Sequence, residues 1–142
     1  MSALNGSGRA ADELAIRNLL AELAWQADST SMADIDDYVD CFTPDGVWEV
    51  PGDVRTGRDD IRAGVTDRRA GAIEQGIQTA HFLANTTVTF DDDDNARVKS
   101  YLQTFRLGGT SGPTLILMGR YHDWFRRTDE GWKLRHRHID FA

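Results

Sequence analysis

The chain has 142 residues, enough for one domain that buries about two-thirds of its unfolded surface and too few for a second. Hydrophobic residues make up 40% of it and charged residues 27%, which excludes the composition of a disordered chain. With 23 acidic against 16 basic residues the formal charge is -7, and that average field argues against nucleic acid or an anionic membrane surface as a partner.

Residues 1–9 are small, polar and rich in glycine, and read as a frayed tail before one domain over 10–142. From about Ala10 to Ala27, Ile16, Leu19, Leu20, Leu23, Ala24 and Ala27 recur at three- and four-residue steps without Gly or Pro, which predicts an amphipathic helix. Ser31 as N-cap, with Asp34 in the first turn, opens a shorter helix whose apolar side is Ile35, Tyr38, Val39 and Phe42. Thr43-Pro44-Asp45-Gly46 stops it and leads into a strand over 47–50. Gly57, followed by Asp59 and Asp60, predicts a third helix with Ile61, Val65 and Ile73 inward.

Beyond it the residues become β-branched and aromatic. Segments 86–90 and 96–107 flank the acidic run Asp91 to Asp94 and predict a hairpin with a solvated tip. A glycine-rich link, 108–113, leads to strands over 115–126 and 132–141. Helices gathered in front of meandering strands predict an α+β fold with a curved antiparallel sheet.

Cys41 stands alone, so no internal disulfide forms, which fits a reducing compartment. The first eight residues lack the basic start and apolar core of a signal peptide, and no apolar run nears the ~20 residues of a membrane span. A cytoplasmic protein is expected. No phosphate-binding glycine loop, Cys-x-x-Cys or Gly-x-Ser-x-Gly occurs, so nucleotide, redox and esterase chemistries find no support.

Several segments in order resemble the SnoaL-like branch of the nuclear transport factor 2-like superfamily, whose members include scytalone dehydratase, a lindane dehydrochlorinase, ketosteroid isomerases and bile-acid dehydratases. They are the helix ending in Ala27-Asp28, Cys41 to Glu49, Thr56 to Ile61, Thr79 to Asn85, and above all Gly119 to Leu134. The resemblance covers about 10–142 and implies a cone-shaped α+β barrel with one pocket, commonly paired into homodimers through the exposed sheet face.

On an ideal helix Asp28 points about 40° from Ala24, at ~100° per residue, so its carboxylate can reach the interior. A buried carboxylate needs a partner, and His81 is the natural candidate. In the dehydratases and the dehydrochlorinase, the residues at the positions of Asp28 and His81 form a catalytic pair, and the resemblance carries those roles over: Asp28 orients the imidazole and His81 takes a proton from substrate. The alternative is that Asp28 caps a helix and His81 is a satisfied core histidine. Scytalone dehydratase has tyrosines where this chain has Ala27 and Trp48, and a second histidine near the position of Leu102, so its carbonyl-polarising apparatus does not transfer.

Trp25, Trp48, Asn85 and Tyr121 are the expected substrate contacts, on the view that aromatic walls suit rings. Trp124, Trp132, Phe42, Phe82, Phe105, Phe125 and Tyr101 add to that aromatic supply. Strict alternation puts Trp132, Leu134, His136, His138 and Asp140 on one face of the last strand, and Lys133, Arg135, Arg137, Ile139 and Phe141 on the other. His136-x-His138 lacks a third ligand, so no metal is expected, and Arg120, Arg126 and Arg127 read as surface or salt-bridge residues. The expected function is a cofactor-independent lyase of the dehydratase type, or an isomerase, acting on a small hydrophobic cyclic or aromatic molecule. A non-catalytic binding or assembly module on the same fold is the alternative. A third reading, an aspartate base acting alone, finds no acid besides Asp28 to carry it.

Overall fold

The computed structural model describes residues 6–141. Three helices, α1 (Gly6–Ala27), α2 (Ile35–Asp40) and α3 (Arg58–Gln75), lie among six strands, β1 (Phe42–Val50), β2 (Asp53–Thr56), β3 (Gln78–Phe90), β4 (Asn95–Leu107), β5 (Thr114–Thr128) and β6 (Gly131–Phe141). The strands form one sheet in the order β2-β1-β6-β5-β4-β3. Every pairing is antiparallel except that of β1 with β6, the one departure from the expected antiparallel sheet.

The helices cover the inner face of this sheet. Ile16, Leu20 and Leu23 of α1, Tyr38 and Val39 of α2, and Ile61 and Val65 of α3 pack on Val98, Leu102, Tyr121, Phe125, Leu134 and Ile139. Burying a side chain of this size is worth about 1.5–3 kcal/mol, so this layer contact is a main source of apolar stabilisation. No helix among the described residues is long and apolar enough to cross a membrane.

Several local expectations are corrected. The first five residues of the expected tail lie outside the described chain, and α1 already begins at Gly6. Arg9 is tied down, its guanidinium 4.3 Å from the Phe90 ring and bonded to the Asp92 carbonyl. Ser31 caps no helix; its hydroxyl accepts from the N–H of Ala33, while Asp34 occupies the N-cap position of α2 without a side-chain cap bond. Phe42 belongs to β1, whose register against β6 jumps between Phe42 and Val47, so the Pro44–Gly46 segment bulges from a continuing strand. The first half of β3, 78–85, is also strand where only 86–90 were expected.

The last strand carries the most consequential correction. Trp132 and Leu134 are buried, but so are Arg137 and Ile139, which strict alternation sets on the opposite face. Phe125 pairs with Leu134 and Trp124 with His136, so Arg135 is an extra residue in β6. Such a bulge reverses the facing of everything after it. His136, His138 and Asp140 therefore stand on the outer face, where Glu49 accepts from both histidines at 2.7 and 2.8 Å. Among the described residues, no group of three or more His, Cys, Asp or Glu side chains could hold a metal ion.

Candidate active site

α1 ends where Ala27 gives way to Asp28, whose backbone N–H closes the last turn on the Ala24 and Trp25 carbonyls at 3.2 Å. The side chain then reaches β3. β3 is an edge strand, and an edge leaves backbone N–H groups unpaired. Asp28 takes one of these: the His81 N–H donates to Oδ2 at 2.9 Å, the Thr79 hydroxyl donates to Oδ1 at 3.0 Å, and His81 Nδ1 lies 2.5 Å from Oδ1. An ionised carboxylate offers only acceptors, so in the neutral imidazole that faces it the hydrogen belongs on Nδ1 and Nε2 is the free acceptor. Nε2 has no protein partner among the described residues.

Asp28 and His81 line a cavity of about 530 Å³ between the helices and the inner sheet face, within the usual range for small-molecule sites. Trp48, Val65, Leu102, Leu117 and Ile139 supply apolar wall. Tyr38 and Tyr121 add two phenols from α2 and β5, both buried, and neither hydroxyl bonds the protein among the described residues. Burial pushes the Tyr121 phenol up to about 12 and raises Tyr38 as well, so both remain hydrogen-bond donors at neutral pH.

Arg137 lies at the same wall, 3.8 Å from the centre of the Tyr121 ring. Its Nε and Nη2 donate to the two oxygens of Asp123 at 2.9 Å each. Burial opposes the guanidinium charge, yet the buried Asp123 carboxylate overcomes it and holds Arg137 above its ordinary value. Arg137 was expected on the face opposite Trp132 and Leu134, whereas all three are buried. The bulge at Arg135 brings Arg137 inward, and a bulge leaves no mark in residue type that alternation could reveal.

Of the expected site residues, Asp28, His81, Trp48 and Tyr121 share the cavity, and Trp25 and Asn85 stand outside it. Trp25 is 75% exposed, being off the buried stripe of α1. Asn85 would point inward by alternation from His81, but β3 slips register between Ala84 and Thr87 and Asn85 takes φ 55°, turning out of the wall. The aromatic supply likewise divides. Phe42, Phe125 and Trp132 fill the core, Phe82 and Phe105 pack edge to face outside the cavity with ring centres 5.6 Å apart, and Trp48 alone of the expected tryptophans lines it. Tyr38, read as one more helix-packing residue, was missed as a site residue.

Cys41 is buried and its thiol is pushed up to about 11 by desolvation, so it is a packing residue and no nucleophile at neutral pH.

Residues 8–138 match the SnoaL-like domain, and the chain belongs to that family. A solved structure from Novosphingobium aromaticivorans, provisionally assigned as an aromatic ring hydroxylase, is 32% identical, with a TM-score of 0.76 over 92% of this chain and 89% of that one. A nuclear transport factor 2-like protein with a cystatin-like fold from the same organism is 27% identical, with a TM-score of 0.79 over 92% of this chain and 82% of the other. A third protein of that organism, provisionally assigned as a scytalone dehydratase, shares the fold at 20% identity, with a TM-score of 0.79 over 97% and 89% of the two chains. No curated protein matches.

Proposed function

We propose that this chain is a cofactor-independent lyase or isomerase for a small cyclic or aromatic ketone, with His81 as general base and Asp28 as the residue that positions it. The observation that carries the reading is the Asp28 carboxylate held by Thr79 and His81 inside an apolar cavity, leaving Nε2 of His81 without a protein partner. The 32% identical relative provisionally assigned as an aromatic ring hydroxylase supports a ring-shaped substrate.

In the proposed reaction, Nε2 takes a proton from the carbon beside a substrate carbonyl, and the C–H electrons move to the oxygen as an enolate. The Tyr38 and Tyr121 hydroxyls, buried and without protein partners, are the donors placed to hold that oxygen. In an elimination the enolate electrons re-form the carbonyl and a double bond, and the hydroxyl on the next carbon departs with the proton from the imidazolium, as water. In an isomerisation the imidazolium returns its proton to a different carbon. Both leave His81 neutral. Throughout, the Asp28 carboxylate stabilises the imidazolium and fixes its tautomer.

The test is turnover of ring-fused ketones, followed as enone absorbance for β-hydroxy ketones and as deuterium exchange beside the carbonyl for simple ketones. His81→Ala should lose about 10²–10⁴-fold in rate with an unchanged circular dichroism spectrum, and Asp28→Asn a large part of that. A His81→Ala protein as active as the parent sinks the catalytic reading. Ligands that bind the cavity of the parent without any turnover would instead establish the binding-module alternative.

A further inference from the structure

The charged side chains that line the cavity are Asp28, Asp53, Arg68, Arg69, His81 and Arg137. All but one meet an opposite charge or a dedicated partner. Asp28 faces His81, Asp53 accepts from Arg55 at 2.9 Å, Arg137 is clamped by Asp123, and Arg69 is bonded to Asp34 and to the Gln26 and Ser31 carbonyls. Arg68 has no carboxylate within salt-bridge distance among the described residues, in a chain with seven more acids than bases. It is also held in place: its guanidinium carbon lies 4.2 Å from the centre of the Trp48 ring, itself a cavity wall. Arg68 is exposed and Ala72, one turn on, lines the cavity too, so the cation stands at the open end on the inward face of α3.

Stacking occupies the flat face of a guanidinium and leaves its N–H groups free along the edge, the geometry that grips a carboxylate with two parallel hydrogen bonds. We propose that Arg68 sets the specificity of this cavity, and that its substrate is a ring compound bearing a carboxylate at the end that faces the mouth. The uncompensated Arg68 on Trp48, lining the same apolar cavity as His81, is the juxtaposition that assigns it. The inference rests on the cavity being the substrate site; it does not require turnover.

Naphthalene-2-carboxylate and its neutral isostere naphthalene-2-carboxamide, titrated calorimetrically at pH 7.5 and low ionic strength, separate the two. The parent protein should bind the carboxylate about tenfold more tightly, the scale of a charge-assisted pair partly open to water. Arg68→Gln should bring the two affinities within about twofold without weakening the carboxamide, and Arg68→Lys, which keeps the charge, should restore part of the preference. Arg62→Gln, the same loss of charge on an exposed residue paired with Asp36, should keep it. Equal binding of the two probes, binding of neither, or an equal effect of Arg62→Gln and Arg68→Gln overturns the proposal. A His81→Ala protein that keeps the preference supports it independently of catalysis, since only the general-base reading depends on that imidazole.

Discussion

Asp28 with His81, and Arg137 with Asp123, bring two carboxylate pairings to a cavity that Asp28, His81 and Arg137 line, and their surroundings give the two pairings different duties. Asp28 and His81 retain side-chain exposures of 15% and 19%, so the imidazole can meet a ligand and exchange protons. Asp123 and Arg137 have 0% and 4%, and each carboxylate oxygen of Asp123 already has its guanidinium donor. Removing one member of such a pair strands the other charge in a low-dielectric interior. Asp123→Ala should therefore destabilise the protein by about 3–5 kcal/mol in urea titration, leaving Arg137 buried and unpaired. Asp28→Asn keeps shape and partial hydrogen bonding at a site open to water, so its cost to stability should be well below that of Asp123→Ala while its cost to turnover is the greater. A reversed order of the two stabilities would mean that Asp28, and not Asp123, is the structural carboxylate.

Strands set what reaches this cavity, and they do so through irregularities. Bulges at Asn85 and Thr86 of β3, at Ile116 of β5 and at Arg135 of β6 re-aim the residues after them. Where β5 and β6 run in register, packing is so close that a Cβ on Gly119 would lie 2.6 Å from the carbonyl oxygen of Asp140. A backbone atom cannot swing aside as a flexible side chain can. Gly119→Ala should cost about 1–3 kcal/mol, read as a lower thermal midpoint, because the two strands must part beside Phe141 of the cavity wall. A variant as stable as the parent would show that the β5–β6 pairing relaxes freely there. These features also mark the limit of sequence reading. The first helix was legible from the spacing of apolar residues, the hairpin around Asp91 to Asp94 from β-branched and aromatic runs flanking an acidic turn, and the placing of Asp28 from helix geometry. Asn85 was misplaced, and Arg137 was set opposite Trp132 and Leu134, because local pattern cannot register one extra residue in a strand; Ser31 and Phe42 were misplaced at helix boundaries, where residue type alone does not fix the end. The pairing of Asp28 with His81, which lie 53 residues apart, came from a resemblance and not from spacing.

For the whole molecule, the question is where charge enters the stability as pH changes. The outer-face group contributes little: the Glu49 carboxylate is held low by bonds from His136 and His138, and His138 is raised by Glu49 and then Asp140, but these side chains are 26–47% exposed and screened by water. The depressed Glu49 stabilises the fold above its unfolded value, 4.5, and loses that effect as pH falls through the depressed one. The raised His138 stabilises it below 6.5 and loses that effect as pH rises through the raised one. The buried phenols act on a larger scale. Tyr121 is held neutral by burial until about 12 against an ordinary value of 10.0, and Tyr38 is raised from the same value by the same cause. A group raised in the folded state stabilises it fully below the unfolded value and loses that contribution as pH climbs through the folded one. Stability should fall between pH 10 and 12, by about 2–3 kcal/mol for Tyr121 alone, since each pKa unit is worth about 1.4 kcal/mol. Tyrosinate absorbance near 295 nm reads this directly: in folded protein part of the signal should be withheld until about pH 12, and unfolding in urea should release it at about pH 10. If all the phenols ionise together near 10 while the fold persists, the cavity floor is wet, and Tyr38 and Tyr121 no longer qualify as the donors that hold a substrate oxygen.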